Sequence, residues 1–406
     1  MPKKKAQIVI PESLKSTSNC VHFPTCGGCQ MMDVPYPNQL VFKQAQLSDL
    51  FAKTLPDLLP TLKPIIGAEV TQFHRNKMEF SFGQGRKEGD IIDPTQLVLG
   101  LKQRGRFDEV VPISDCKLQD PQTNAILAFT QTFFQNRGLP GWSALKRGGV
   151  LRQLLLRHAK ASDTWLVVVT ASEFHEAIFN DYARELQAKF PNVVSVSHAL
   201  NTGLGDGILG LHPQTLLAGT THIEEQLGPY RFRISPASFF QTHSKQAEVL
   251  YATIANAVTI TPNDVVFDLY CGTGTIGLFV ADKAKHVYGI EENPAAILNA
   301  IENAKQNGIH NVTFKTENVK NFLKFTDLKP DVVIVDPPRD GLIPKALRRL
   351  VAAQPQQLVY VSCNPNTLVR DLPEILAGGY RVLSIQPVDM FPHSLHVEVV
   401  VGLARV

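Results

Sequence analysis

No stretch of this chain approaches the ~20 consecutive apolar residues that a membrane-crossing helix requires, so no span is expected. The N-terminal segment Met1 to Leu14 is charged and lacks a continuous apolar core, which argues against a secretory signal. Without export, a reducing cytoplasm is the expected location, and the six cysteines are not expected to pair as disulfides. A formal charge of +3 is too small to announce a nucleic-acid binder. Internal repeats and low-complexity blocks are also missing. Basic residues cluster locally at Lys3-Lys4-Lys5, Lys102-Gln103-Arg104-Gly105-Arg106, Arg152 with Arg157, and Arg231 with Arg233. Such clusters usually form solvated faces, so they permit a polyanionic partner without requiring one.

The 406 residues are enough for two or three domains. From about residue 264 onward, β-branched runs recur at 265–270, 286–291, 312–316, 332–336, 358–363, 381–388 and 396–404. Helix-like segments such as 295–307 and 366–376 separate most of them, which implies a parallel sheet with right-handed crossovers. The last two runs are joined by a short link, 389–395, that suits an antiparallel pair. Six parallel strands and one reversed final strand outline an α/β domain of the class I, Rossmann-like methyltransferase type over 231–406. Residues 1–230 are less periodic and read as an α+β region. Within it, 165–170 and 193–199 read as strands, and 125–134 and 183–188 as helix.

In Phe267-Asp268-Leu269-Tyr270-Cys271-Gly272-Thr273-Gly274 a strand runs into a glycine-rich turn, where the backbone can approach a ligand closely. Glu291 ends the next strand about 20 residues later, a position where an acid binds ribose hydroxyls. That spacing suits a dinucleotide or S-adenosylmethionine, and Gly272, Gly274 and Gly277 complete a G-x-G-x-x-G pattern compatible with either. Asp336-Pro337-Pro338-Arg339 at the end of the fourth strand favours methyl transfer. Two further features belong to covalent chemistry. Cys363, in Ser362-Cys363-Asn364-Pro365, is a candidate nucleophile, and Glu398, at the start of the last strand, is a candidate base. Carbon 5 of uracil is a poor nucleophile until a thiolate adds at carbon 6, and a base must then remove the carbon 5 proton. If the last strand inserts antiparallel beside the fifth, Glu398 is expected to face Cys363.

At these residues the sequence resembles the RNA uracil-5 methyltransferase family. The resemblance also covers Arg75-Asn76-Lys77, Ser238-Phe239-Phe240-Gln241 and Phe391-Pro392-His393-Ser394-Leu395-His396-Val397-Glu398. It implies methylation of uridine C5 in RNA, with 23S ribosomal RNA favoured over transfer RNA as the substrate, Cys363 as nucleophile and Glu398 as proton acceptor. It also implies an S-adenosylmethionine site lined by Gln241, Tyr270, Thr275, Glu291, Asn318 and Asp336. Where relatives often have asparagine two residues after the glutamine, this chain has His243. Many relatives begin with an OB-like TRAM domain, for which the 19 residues before Cys20 leave too little room.

Cys20, Cys26, Cys29 and the distant Cys116 form a three-plus-one thiolate set that suits an iron–sulfur cluster or zinc. Spacing alone does not choose between them; the family resemblance implies a [4Fe-4S] cluster, with a structural or RNA-positioning role. Cys271 lies inside the glycine loop and reads as structural. Two other functions fit parts of the pattern: methylation of an exocyclic base amine without a covalent adduct, and a catalytically silent RNA-binding iron–sulfur protein. The expected partner is RNA with an unpaired uridine, with no membrane and no obligate protein partner.

Overall fold

The computed structural model describes residues 9–87, 91–203, 205 and 214–406; the Lys3-Lys4-Lys5 cluster lies outside them. Helix α1 (Tyr36–Thr54) precedes an α+β unit containing β1 (Lys77–Lys87), β2 (Ile91–Lys102), β3 (Val110–Pro112), α2 (Gln122–Asn136), β4 (Leu151–Ala159), β5 (Thr164–Ala171), α3 (Glu176–Lys189), β6 (Val193–Leu200) and β7 (Gln214–Gly219). Its strands form one seven-stranded sheet in the order β3-β2-β1-β4-β5-β6-β7, mixed in direction. The four strands and helices read from this region in the sequence are present, at β5, β6, α2 and α3.

Each face of this sheet has a different neighbour. Leu154, Leu156, Val167 and Val169 join the core beneath α2 and α3, where Phe133, Phe134, Phe179 and Tyr182 pack together. The intervening Leu155, Leu166 and Val168 point the other way, into a core shared with the C-terminal half. Strand alternation alone therefore welds the two halves together. A two-stranded hairpin, β8 (Ile223–Leu227) with β9 (Tyr230–Ile234), and helix α4 (Ser244–Ala255) supply the other side of that shared core.

The C-terminal sheet contains β10 (Val265–Leu269), β11 (His286–Glu291), β12 (Val312–Thr316), β13 (Val332–Val335), β14 (Gln357–Ser362), β15 (Tyr380–Val388) and β16 (Glu398–Arg405). Its order is β12-β11-β10-β13-β14-β16-β15. Strands β10 to β14 are parallel and β16 runs antiparallel between β14 and β15, the topology expected from the sequence. Between them lie α5 (Thr275–Val280), α6 (Pro294–Gln306), α7 (Val319–Phe325), α8 (Pro344–Ala352) and α9 (Pro365–Ala377). Helices cover both faces, so β13, Val-Val-Ile-Val, is fully buried as a continuous apolar run. No described helix is long and apolar enough to cross a membrane.

Helix α1 belongs spatially to this second half. Leu47 and Phe51 enter the core formed with α7, α8 and α9. The chain that follows adds parallel bridges, Leu62 with Ile385 and Ile66 with Val388, along the outer strand β15. Those bridges cover an edge that would otherwise be open. A buried ion pair fixes the arrangement: Lys43 Nζ lies 2.7 Å from Asp389 Oδ1, with both side chains almost completely inaccessible. Burial pulls the ammonium below its usual pKa and Asp389 opposes that shift. Lys43→Met leaves the Asp389 carboxylate buried without its cation. The variant is expected to lose about 3–5 kcal/mol of stability, a loss read from its chemical-denaturation midpoint.

Candidate active site

Local geometry brings the candidate residues to one end of the C-terminal sheet. Tyr270, Asp336 and Cys363 each follow the last residue of a parallel strand, and Glu291 is the last residue of β11. Asn318 caps α7 just beyond β12, accepting the Lys320 amide at 3.1 Å and donating to Glu292 Oε2 at 2.9 Å. The carboxyl ends of parallel strands are where open α/β sheets bind their ligands. Thr275 is the first residue of α5, and its hydroxyl oxygen lies 3.4 Å from Tyr251 OH.

The glycine loop has a steric rationale at two positions. Gly274 has φ +78°, and a Cβ there would lie 2.6 Å from the Phe314 ring. A Cβ at Gly277 would come to 3.0 Å from Asp268 Oδ2, the oxygen that accepts the Gly277 amide at 2.8 Å. Only glycine lets the helix begin this close to the strand. Tyr270 also has positive φ, +63°, a strained value for a residue with a side chain. Cys271 is buried under the loop near Gly289, consistent with a packing role.

Three carboxyl groups are drawn away from solvent here: Asp268 and Glu398 are buried and Asp336 is half-buried. Burial raises Asp268 to about 7, against the pull of the Gly277 amide. Burial likewise raises Asp336 to about 7. Glu398 rises to about 8, first through burial and then through the charge of Asp336. Asp268 Oδ1 has no hydrogen-bond partner and no contact with solvent. A buried, unpartnered acceptor that also feels the charges of Asp336 and Glu291 fits a cationic ligand better than any neutral group within the protein. The sulfonium and ammonium groups of S-adenosylmethionine meet that description. Asp268 is not among the site residues expected from the sequence; its only signal there is its position ahead of the first glycine.

Cys363 and Glu398 come together as the strand order requires. Ser362 pairs with Val399 across β14 and β16, so the next residues outward on the two strands are Cys363 and Glu398. Burial, then Glu398, then Asp336 push the thiol up to about 11, while the Arg339 guanidinium pulls it down. Without a bound cation Cys363 is therefore protonated at neutral pH. His396 sits nearby, its pKa lowered by burial and by the charges of Arg339, Lys43 and Arg75. Neither Arg339 nor His396 was singled out by residue type; only the fold shows them near the thiol.

The segment that carries Gln241 is held by residues of the N-terminal unit. Asn76 Nδ2 donates to the Gln241 carbonyl and to Ser244 Oγ, both at 2.9 Å, and the Asn76 amide donates to Thr242 O at 2.8 Å. The buried Arg157 guanidinium donates to Ser238 O at the other end of the same segment. His243 caps α4. Its Nδ1 lies 3.3 Å from the Gln246 amide at the start of α4, its Nε2 2.8 Å from Val70 O, and its ring stacks on His74. Asn76→Ala should leave the buried Gln241 carbonyl without its side-chain donor and cost about 1–3 kcal/mol, while Ser244 Oγ keeps its bond to Glu225. We expect weaker S-adenosylmethionine binding in that variant, measurable by calorimetry, with the fold retained.

The remaining four cysteines lie on two segments pinned side by side. Gly27 N donates to Lys102 O, and Cys26 bridges Gln103. His22 Nε2 accepts from the Ser114 and Asp115 amides, just ahead of Cys116. Gly28 N points at Cys26 Sγ, 3.3 Å away. Burial raises Cys29 to about 12, with Cys116, Cys26 and Cys20 adding to the shift. That mutual influence places the four sulfurs in one neighbourhood. Even so, among the described residues no three His, Cys, Asp or Glu side chains are arranged to hold a single metal ion. The two observations measure different things, proximity and coordination geometry; the first supports a shared site and the second supplies no preformed one. Arg75, largely buried, is the cation beside Cys29 and Cys116.

Comparison with known proteins agrees with this geometry. Residues 214–406 match the family model described as tRNA (uracil-5-)-methyltransferase. An uncharacterised RNA methyltransferase of Clostridium tetani is 39% identical, the alignment covering 96% of this chain and 84% of the relative. Another from Oceanobacillus iheyensis is 38% identical over 97% of this chain and 85% of its own length. The structure resembles the Pyrococcus abyssi tRNA (uracil-54, C5)-methyltransferase in complex with S-adenosyl-L-homocysteine. Its TM-score is 0.74, with 26% identity, and it covers 94% of this chain and 86% of that one. The chain is an RNA methyltransferase that uses S-adenosylmethionine, and it belongs to the tRNA (uracil-5-)-methyltransferase family.

Proposed function

We propose that the protein methylates carbon 5 of a uridine in RNA through a covalent bond between Cys363 and carbon 6 of the base. The observation that carries this reading is the meeting of Cys363, Glu398 and Asp336 at one sheet edge, from strands far apart in sequence. An amine methyltransferase needs neither the thiol nor a second base.

In this mechanism Cys363 Sγ adds to carbon 6 as a thiolate, and the ring becomes an enolate nucleophilic at carbon 5. Bound S-adenosylmethionine supplies the electrophilic methyl group and leaves as S-adenosylhomocysteine. Glu398 then removes the carbon 5 proton, the carbon 5–carbon 6 double bond re-forms, and the carbon 6–sulfur bond breaks to return the thiolate. Gln241, Tyr270, Thr275, Glu291, Asn318 and Asp336 are proposed to hold the cofactor, with Asp268 added from its unpartnered oxygen. Arg339 would favour the thiolate.

A pH dependence follows from the same groups. Glu398 acts only when ionised, and its pKa is raised to about 8; Cys363 attacks only as a thiolate, and it is raised to about 11. Both shifts make kcat/KM climb as pH increases from 6 to 8. A profile flat across that interval contradicts these assignments. Stability runs the opposite way in the cofactor-free protein. Asp268, Asp336 and Glu398 titrate higher when folded than unfolded, so their protonated forms favour the fold at low pH. That contribution is lost as pH rises through about 7 to 8, so the rise in Tm on adding S-adenosylmethionine should be larger at pH 8 than at pH 6.

Residues 1–230 are proposed to carry RNA binding and a [4Fe-4S] cluster on Cys20, Cys26, Cys29 and Cys116, and residues 231–406 methyl transfer. The proximity of the four sulfurs and the buried Arg75 cation support the cluster, since thiolates in an apolar setting need compensating charge. Iron and acid-labile sulfide should co-purify without air and fall sharply in Cys116→Ser; full iron content in that variant rejects the fourth ligand. A cytoplasmic location is part of this reading.

The test is incubation with tritiated S-adenosylmethionine and unmodified ribosomal or transfer RNA, followed by nucleoside analysis. Both RNAs are needed: ribosomal RNA is the proposed target, whereas the solved relative acts on transfer RNA. Label in 5-methyluridine supports the proposal. Label in a base methylated on its amine replaces it, and RNA binding without transfer favours a silent protein.

A further inference from the structure

The N-terminal sheet carries a cavity of about 410 Å³ on the side of the cysteine loop. That volume falls in the range of roughly 300–1,000 Å³ typical of small-ligand pockets. Thr25, one residue before Cys26, and Gln103, which bridges Cys26, line it. So do Trp142 and the β2 and β3 residues Val98 and Val111.

Its chemistry is specific. Gln84, Gln96 and Gln103 contribute three side-chain amides, each able to donate and accept. Gln84 Nε2 is engaged by the Gly141 carbonyl at 2.9 Å, but its Oε1 is shielded from solvent and has no hydrogen-bond partner. A Cβ at Gly85 would collide with the Gln96 amide, so the glycine leaves that group room over the cavity. Trp142 is held in place by the Arg152 guanidinium, 3.9 Å from its ring centre; Arg152 is itself buried and donates to Gly203 O and Gly205 O. In the turn between β2 and β3, next to the lining residue Asp108, Phe107 is 69% exposed. Among the described residues no lysine or arginine lines the cavity, whereas Asp108 and Glu109 do. Arg106 engages Asp108 at 3.0 Å.

This lining suits neither a phosphate nor an aliphatic chain. Flat apolar walls, amides that read edges, an unsatisfied buried acceptor and an acidic rim suit a planar ring bearing an amino group. We propose that the cavity binds a second unstacked base of the RNA substrate, one with an exocyclic amine, with Phe107 stacking a neighbouring base. Such splayed bases, stacked on aromatics and read on their edges, are how proteins recognise single-stranded RNA. The proposal rests on the RNA-methylating function and deepens it: substrate choice would be made partly here, beside the cysteine loop.

Gln96→Ala and Phe107→Ala test it, because both side chains are exposed and neither supports the fold. On a methylatable RNA, each variant should raise KM about tenfold, the scale of one lost stacking or edge contact, with kcat at saturating RNA unchanged. A direct probe is Trp142 emission in Trp165→Phe, where it is the only tryptophan left. Saturable quenching by cytidine, adenosine or guanosine monophosphate, and little by uridine monophosphate, supports the pocket. Equal quenching by uridine monophosphate overturns the amine preference. Unchanged KM in both variants overturns the subsite, while methylation by the parent protein shows that the parent function stands. Should Trp165→Phe not fold, the KM measurement decides alone.

Discussion

Cys363→Ala is expected to abolish methyl transfer to uridine while leaving S-adenosylmethionine binding intact. The loss should be about 10⁴-fold or more, the scale on which removing a covalent nucleophile acts. The thiol lies at the carboxyl end of β14, beyond the last ladder pair, so its removal opens no cavity in the sheet core. Unchanged stability with lost activity is therefore the predicted signature. Cys363→Ser should behave almost alike, because an alcohol is a far weaker nucleophile at neutral pH. Substantial activity in the alanine variant removes the covalent step altogether.

Glu398→Gln should produce the opposite intermediate pattern. The amide keeps the size of the side chain but cannot take the carbon 5 proton, so the reaction stalls after methyl transfer. A protein–RNA complex that survives denaturation should accumulate, with multiple-turnover product falling by roughly 10²–10⁴-fold, the usual range for a missing general base. Glu398 is only 4% exposed and its carboxyl is already raised by burial. The neutral amide should thus be tolerated, and the cofactor-free variant should melt no lower than the parent at pH 8. Absence of a stable complex, with turnover merely slowed, assigns proton removal elsewhere.

The C-terminal fold was legible because its central strands are buried on both faces. Runs such as Val332–Val335 leave no alternation to misread, and the residues that end them fall at the ligand edge by topology alone. Placing Glu398 beside Cys363 needed only the insertion of β16 next to β14. Helix α1 was illegible for the opposite reason. Its inward face carries Gln39 and Lys43, both buried and polar. Their partners, His393 and Asp389, lie about 350 residues away and give no local signal. Arg152 and Arg157 looked like a solvated face, yet both are buried: one steadies Trp142, the other holds Ser238. Asp268 was hidden differently: only the structure shows that one of its oxygens faces no partner. A pattern of residue types reports burial and period; it does not report which distant group answers a buried charge.

The central claim, a Cys363 bond to carbon 6, is tested most directly with RNA carrying 5-fluorouridine at the target. Fluorine replaces the proton that Glu398 must remove, so the cycle halts after methyl transfer with the thiol still attached. Intact-mass analysis should show protein joined to RNA in a complex that has gained one methyl group, mapped by digestion to Cys363 and missing in Cys363→Ala. If the fluorinated RNA is bound and S-adenosylmethionine is consumed with no covalent complex, or if the bond maps to another residue, the mechanism proposed here is wrong.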